Sequence, residues 1–148
     1  MSDEQGAIVE RMLFDALEAI VRGDTGPWSE MFQEQGVMEF PYAPPGFPKL
    51  LEGKSTIGAY MRSYPDHVSM KRFDRKGVHH ADGVMVVEFS GEGHVMPSGN
   101  PIKMQYVGVI SHSGGKIDHY RDYWDALAAV SAMGGLESLQ SMGAGVSA

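Results

Sequence analysis

The sequence has no cysteine, and this absence excludes disulfides, a thiolate nucleophile and a cysteine-based zinc site. Basic residues are also scarce: 12 Lys and Arg stand against 19 Asp and Glu, for a formal net charge of -7. Because no basic run or stripe is present, we expect no nucleic-acid partner. No apolar stretch approaches the roughly 20 residues that a membrane-spanning helix needs, so we expect no membrane partner either.

Several chemical motifs are missing as well. There is no glycine-rich phosphate loop, no GxGxxG and no serine nucleophile elbow. No spacing of His, Asp and Glu is typical of a metal site, so we expect neither a metal nor an organic cofactor. The segment from Met1 to Gln5 lacks the basic and apolar regions of a signal peptide, which makes the cytoplasm the expected location.

The 148 residues, 43% of them hydrophobic, are enough for one domain with a sizeable core. We assign residues 1–133 to this single domain. Residues 134–148 are rich in Gly, Ser and Ala and are expected to form a mobile tail. Helical spacing of apolar residues predicts a first helix from Gln5 to Arg22 and a short second one with Trp28, Met31 and Phe32. A third helix is expected from Ser55, its N-cap, to Pro65.

Turn residues divide the stretch from Val68 to Asp125 into strands. Asp82-Gly83, the segment 97–101 and Gly114-Gly115 each predict a hairpin, and together they give a four-stranded antiparallel meander. The expected fold class is α+β: a cone-shaped, curved antiparallel or mixed sheet packed on three N-terminal helices. The concave side of such a sheet is a natural site for a small molecule.

Strand alternation predicts which side chains face the concave side. Phe89 belongs to an apolar set that should face the core, and the turn at Asp82-Gly83 pairs His80 with the same face. Counting through the other two turns places a further set on this face, although a single β-bulge would invert such an assignment. That set comprises Lys103, Gln105, Val107, Val109, Asp118, Tyr120, Asp122 and Trp124.

The expected site has apolar walls with a few polar groups. Asp122 would be desolvated, which raises a carboxyl pKa and suits a proton shuttle, and His80 would be its partner acid/base. A purely structural alternative for Asp122 is an ion pair with Arg121 or Lys103. The groups expected to stabilise an oxyanion are Lys103, Gln105 or Tyr42, the last in a proline-rich segment. The expected wall residues are Met38, Phe40, Phe89, Val107, Val109 and Trp124, with Tyr120 as a further polar group.

Several segments resemble the NTF2-like superfamily, and its SnoaL-like and ketosteroid-isomerase-related branch most of all. They are Arg22-Gly23-Asp24, Glu39-Phe40-Pro41, Leu51-Glu52-Gly53-Lys54, and Gly115-Lys116-Ile117 followed by residues 120–125. The last is also similar to the endings of PhzA/PhzB-like members. The resemblance covers roughly residues 5–133 and implies a cystatin-like α+β barrel, a fold that hosts many reactions.

Three comparisons within the superfamily bear on chemistry. In SnoaL-like cyclases the acid/base Asp lies in the last strand, and Asp122 matches that position. Steroid isomerases of this fold use a Tyr, a general base and a second acid. By resemblance, the corresponding positions of this chain hold Ala16, Phe40 and Val107. All three are apolar, so the resemblance does not imply steroid isomerase chemistry by that mechanism. Epoxide hydrolases of this fold add an Arg and a second Asp that we do not find on the pocket face.

The sequence therefore predicts a cofactor-independent enzyme that transfers protons at carbon, as an isomerase, cyclase or C–C/C–O lyase. Its substrate would be a small apolar molecule, aromatic or polycyclic. The alternatives are a non-catalytic ligand-binding or assembly module and a domain that works only by dimerisation. A homodimer through the outer face of the sheet is expected because that face would carry Val86, Tyr106 and Ile110.

Overall fold

The computed structural model describes residues 2–135, with side chains from residue 4 onward. The helices are α1 Ser2–Val21, α2 Gly26–Glu30, α3 Lys54–Arg62, α4 Tyr64–His67 and α5 Ala126–Ala132. The strands are β1 Phe32–Glu39, β2 Leu50–Glu52, β3 Val68–Ala81, β4 Val84–Val95, β5 Pro101–Ser113 and β6 Lys116–Trp124. Of the predicted tail, residues 136–148 lie outside the described residues. None of the described helices is long and apolar enough to cross a membrane.

Helix α1 covers the concave face of the sheet. Its buried side chains Val9, Leu13, Leu17 and Ile20 recur every three or four residues, which places them on one side of the helix. The helix ends at Val21, and Gly23 follows it with a positive φ of 85° while its amide donates a hydrogen bond to the Ile20 carbonyl. The amphipathic first helix predicted from the sequence is therefore present.

The six strands form one sheet in the order β2-β1-β6-β5-β4-β3. Strands β3 to β6 are the predicted antiparallel meander, and β1 joins it parallel to β6. The strand β2, which pairs with β1, was not predicted. The structure thus confirms the α+β class with a curved mixed sheet covered by helices.

Two strands approach each other closely at Gly93. A Cβ added there would lie 2.2 Å from the Ser69 carbonyl oxygen and 2.7 Å from the Met70 Cα. These are backbone atoms that cannot give way, so only glycine lets β3 approach β4 this closely.

Three local predictions about helix ends are wrong. Gly53, with a φ of 95°, is the N-cap of α3, and no side chain caps that helix, so Ser55 is not its N-cap. Pro65 occupies the first turn of α4, where its missing amide costs no hydrogen bond, and so starts a helical turn instead of ending one. Phe32 begins β1 and does not belong to the second helix.

The predicted face of β5 is wrong, and the length of the β4–β5 turn is the physical reason. The pair His94–Pro101 leaves six residues in this connection, whereas the predicted turn, 97–101, has five, and a difference of one residue exchanges the two faces of β5. A β-bulge in β6 also changes the pairing of β5 with β6. Strand β6 carries one extra residue, Asp118, between the pairs His112–Ile117 and Ser111–His119. Asp122 therefore pairs with Gly108 and not with Val107. The residues of β5 that face the core are Ile102, Met104, Tyr106, Gly108 and Ile110, whereas Lys103, Gln105, Val107 and Val109 lie on the outer face.

Candidate active site

A pocket of about 420 Å³ lies between the concave face of the sheet and the five helices. This volume is within the range of small-molecule sites. Its walls are almost entirely apolar, with aromatic and methionine side chains predominating. The lining residues are Leu17, Ile20, Trp28, Met38, Phe40, Phe47, Pro48, Tyr60, Met61, Ser63, Tyr64, His67, Val68, Met70, Phe73, Phe89, Ile102, Met104, Tyr106, Asp122, Trp124, Ala129 and Met133.

Asp122 is the carboxylic acid of this pocket. It projects from β6 and only 8% of its surface is exposed, and its Oδ1 accepts no hydrogen bond from any described residue. Burial raises the pKa of Asp122 from 3.8 to about 7, because removing the carboxylate from water disfavours the charged form. A carboxyl group with this pKa can both take and give a proton near neutral pH.

The ion pairs considered for Asp122 are not formed. Arg121 is its neighbour in β6 and pairs with Val109 of the outer face, so its side chain leaves the sheet on the other side. Lys103 is also on the outer face, where 74% of its side chain is exposed and its Nζ lies 3.6 Å from Glu92 Oε1. The carboxyl group of Asp122 is therefore open toward the pocket and is not neutralised by a Lys or Arg of the part of the chain that the structure describes.

Four tyrosines surround Asp122: Tyr60 of α3, Tyr64 of α4, Tyr106 of β5 and Tyr120 of β6. Burial raises the pKa of each phenol above its ordinary value, and the nearby Asp122 charge raises it further. The hydroxyls of Tyr64 and Tyr106 also influence each other's pKa. All four phenols thus stay protonated at neutral pH and can act as hydrogen-bond donors.

Three of these tyrosines were not assigned to the site from the sequence. Tyr60 and Tyr64 recur four residues apart, a spacing that puts both on the same side of a helical segment and that could have indicated a shared surface. Nothing local to the sequence says that this surface faces the sheet. Tyr106 was placed on the outer face, and its pairing with the buried Phe89 of β4 reverses that assignment.

Five of the predicted residues lie in or beneath the pocket with Asp122. Met38, Phe40, Phe89 and Trp124 line it, and Phe47 packs edge-on against Trp124 at 5.9 Å. Tyr120 is fully buried below the pocket, with its ring 5.4 Å from that of Trp28. The described residues offer the Tyr120 hydroxyl no hydrogen-bond partner.

The other predicted site residues lie elsewhere. The side chains of Lys103, Gln105 and Val107 lie on the outer face of the sheet and therefore do not line the pocket. Tyr42 is 68% exposed, and its ring packs edge-on against Tyr123 on the outside of the molecule at 5.0 Å. None of these four residues is in a position to touch a molecule bound beside Asp122.

His80 pairs with Met85 as predicted, but it lies at the end of the sheet and does not line the pocket. Its Nε2 is 2.6 Å from Glu10 Oε1 of α1, and Glu10 also binds Arg75. Burial raises the pKa of Glu10, but the hydrogen bonds with His80 and Arg75 outweigh this and hold the pKa below its ordinary value. His80 therefore fastens α1 to β3 and has no contact through which to act as acid/base partner of Asp122.

We expect the substitution His80→Gln to affect stability and not the pocket. Loss of this partly exposed pair should cost about 1 kcal/mol or less, as for other ion pairs near the surface. Chemical denaturation measures this cost, and turnover or ligand binding measures the pocket. A fall in kcat comparable to that of an Asp122 variant would restore His80 as a catalytic partner.

Within residues 4–135, no group of three or more His, Asp and Glu side chains is placed to hold a metal ion. The polar groups of the pocket are instead the Asp122 carboxyl group, the tyrosine hydroxyls, Ser63 and His67. Such a set is suited to hydrogen bonding and to proton transfer with an organic molecule.

The sequence profile of the SnoaL-like domain matches residues 11–120. The chain belongs to the SnoaL-like family. This confirms the predicted NTF2-like relationship, and proteins of this family bind small organic substrates. The chain is 36% identical over 130 residues to an uncharacterised PhzA/B-like protein of Pseudomonas aeruginosa, which covers 87% of this chain and 92% of that protein.

Two further similarities come from Bacillus subtilis. The uncharacterised protein YesE is 39% identical over 114 residues, which cover 76% of this chain and 78% of YesE. A solved structure described as a candidate isomerase superposes with a TM-score of 0.83 and 35% identity, covering 91% of this chain and 96% of that one. The SnoaL-like fold therefore extends over nearly all of the described residues.

Proposed function

We propose that this SnoaL-like protein is a cofactor-independent enzyme that transfers a proton to or from a carbon atom of a small apolar molecule. The proposal rests on Asp122, which lines an apolar pocket as a buried and unpaired acid. Its pKa is raised to about 7. Catalytic acids and bases work best when their pKa is near the working pH. Isomerisation, cyclisation and C–C or C–O lyase reactions all use this step.

In the proposed mechanism, ionised Asp122 takes a proton from a carbon atom next to a substrate carbonyl group. Negative charge then develops on the carbonyl oxygen. Hydroxyls of Tyr60, Tyr64 and Tyr106 face Asp122 and are candidates to donate hydrogen bonds to that oxygen, in place of the predicted Lys103, Gln105 and Tyr42. The protonated Asp122 returns its proton to a second atom, and the apolar walls keep water away meanwhile.

The pocket supports an aromatic or polycyclic substrate. Nine of its lining residues are aromatic, and flat rings pack favourably against one another. Five are methionines, Met38, Met61, Met70, Met104 and Met133, whose flexible side chains adapt to irregular shapes. Together they favour a flat apolar molecule over a sugar or a nucleotide.

A non-catalytic binding module is the main alternative. Such a protein would hold its acidic groups locked in ion pairs, and a domain acting only by dimerisation would fill the cone with its own side chains. The free Asp122 carboxyl group and the 420 Å³ cavity favour the enzyme.

Hydrogen–deuterium exchange tests the proposal without knowledge of the natural product. The protein is incubated in D2O with a panel of aromatic and polycyclic ketones, and NMR follows loss of the proton next to the carbonyl. We expect protein-dependent exchange with at least one ketone, and none with an Asp122→Asn variant. The result would count against an enzyme if ketones bind to the protein but none of them exchanges its proton faster than in buffer.

Tyr106→Phe should lower kcat roughly tenfold to hundredfold, since one hydroxyl near the developing charge is lost while two others remain. The fold should survive, because the ring stays stacked on Phe89 at 4.8 Å. Gln105→Ala is the matched control: it is the next residue of β5 but faces outward, so activity should not change. If Gln105→Ala were the damaging change, the inward face assigned to Tyr106 would be wrong.

We also propose that the chain is a homodimer through the outer face of the sheet. Tyr106 and Ile110 face the core and no longer support this interface, but Val86, Val107 and Val109 are adjacent on the outer face and only partly covered. Light scattering should therefore give twice the chain mass of 16.1 kDa. Val109→Glu should shift the mass toward that of one chain, and a wild-type protein of one chain mass at micromolar concentration would refute the dimer.

A further inference from the structure

The walls of the pocket and its one carboxyl group suit a positively charged organic ligand. We propose that the pocket binds a lipophilic organic cation, a quaternary or tertiary ammonium group carried on apolar substituents, with Asp122 as its counter-ion. This goes beyond the proposed function and does not depend on it, because it concerns binding and requires no proton transfer at carbon.

The first support is the aromatic content of the walls. Trp28, Tyr60 and Trp124 line the pocket with six further aromatic residues, and the faces of such rings attract cations, Trp most strongly. A cation that has lost its water shell gains more from these rings than one at a surface. Quaternary ammonium groups lose that shell at low cost because they donate no hydrogen bonds.

The second support is the unpaired carboxyl group. Asp122 Oδ1 is buried without a hydrogen-bond donor among the described residues, and no Lys or Arg is among the described residues that line the pocket. The cation–π contact between protein groups in the described part of the chain, Arg75 over Phe14, lies outside this pocket. The ionised Asp122 thus lacks a positive partner, and a bound cation would supply it.

Binding and protonation should be linked. Burial raises the pKa of Asp122 to about 7, and a cation favours the ionised form, so binding below this pH must release one proton. The groups that face Asp122 are Tyr60, Tyr64, Tyr106 and Tyr120, which stay neutral, and apolar side chains of α1, β1 and α5. Besides Asp122 and the tyrosines, His67 is the ionisable side chain among the described residues that line the pocket.

The test compares a cation with an uncharged molecule of the same shape. The probes are benzyltrimethylammonium and neopentylbenzene, in which carbon replaces the charged nitrogen. Both Trp residues of the protein line the pocket, so intrinsic fluorescence reports binding of either probe. We expect the cation to bind at least tenfold more tightly than its isostere at pH 8. Its affinity should fall about tenfold for each pH unit below 7, while that of the isostere stays constant.

Two variants assign this pH dependence. Asp122→Asn should remove the preference for the cation and its pH dependence but keep binding of neopentylbenzene, which also shows that the pocket is intact. His67→Gln should leave the pH dependence unchanged. Calorimetry in two buffers of different ionisation enthalpy should detect release of close to one proton at pH 6 in the wild type.

The inference is overturned if the wild-type protein binds the cation no better than its isostere at pH 8. It is equally overturned if Asp122→Asn keeps the preference, or if His67→Gln abolishes the pH dependence. Because no reaction is followed, these results are separate from the ketone exchange experiment. If the protein exchanges ketone protons but does not prefer the cation, the proposed function is supported and the cation site is refuted. If it prefers the cation but exchanges no ketone protons, the cation site is supported and the proposed function is not.

Discussion

Replacing Asp122 with Asn should lower kcat by about 10²–10⁴ once a substrate is known. Asn has nearly the same shape and can still form hydrogen bonds, but it cannot take up and release a proton at neutral pH. The pocket walls and the four tyrosines are unchanged by this substitution. The loss should therefore appear mainly in kcat, with KM affected much less.

Asp118→Asn is the matched control for this experiment. It makes the same change in the same strand, but Asp118 lies in the bulge, where its Oδ2 accepts a hydrogen bond from Ser113 at 2.8 Å. This variant should keep wild-type activity. Full activity in Asp122→Asn would leave an enzyme possible but would refute the proton shuttle proposed here.

Strand alternation succeeded where the sequence fixes the length of the turn and failed where it does not. Along β4 the alternate residues from Met85 to Phe89 are buried as predicted, because the two-residue turn at Asp82-Gly83 fixes their register. The β4–β5 connection has six residues between His94 and Pro101, one more than the predicted turn 97–101, and this single residue exchanges the two faces of β5. Several Pro, Ser, Gly and Asn residues in a row mark a turn but do not fix its length, so the inward positions of β5 could not be assigned from the sequence.

The residues of the site likewise divide into those that the sequence predicts and those whose position only tertiary packing decides. Asp122 was found because a family resemblance and strand alternation agree on it. In the alternation two errors cancelled, because the miscounted turn inverted β5 and the bulge in β6 moved the partner of Asp122 from Val107 to Gly108. Tyr60 and Tyr64 were visible as a helical pair, but only tertiary packing decides that they face Asp122. His80 lies on the predicted side of its strand, yet its distance from the pocket depends on the length of β3 and the path of α1.

The wild-type protein should become less stable as the pH rises from 4 to 7, and Asp122 is the reason. Its pKa is about 7 when folded and 3.8 as an ordinary carboxyl group, so between these values the folded state holds a proton that the unfolded chain has lost. Stability falls with pH wherever the folded state binds more protons. At about 1.4 kcal/mol for each pH unit, the free energy of unfolding loses on the order of 4 kcal/mol by pH 7 and no more above it.

Asp122→Asn should remove this slope, because an amide stays neutral throughout. The variant should resemble the wild type near pH 4 and exceed its free energy of unfolding by several kcal/mol at pH 8, as measured by urea denaturation. Glu10→Gln should change the pH dependence of stability in the opposite direction. The pKa of Glu10 is below its ordinary value, so its contribution to stability is present at neutral pH and is lost on acidification. If the free energy of unfolding of the wild type and of Asp122→Asn changed in parallel from pH 4 to 8, the pKa of Asp122 would be the same in the folded and unfolded states. A gain in stability together with a loss of turnover would mean that the fold keeps a destabilising buried acid for its chemistry.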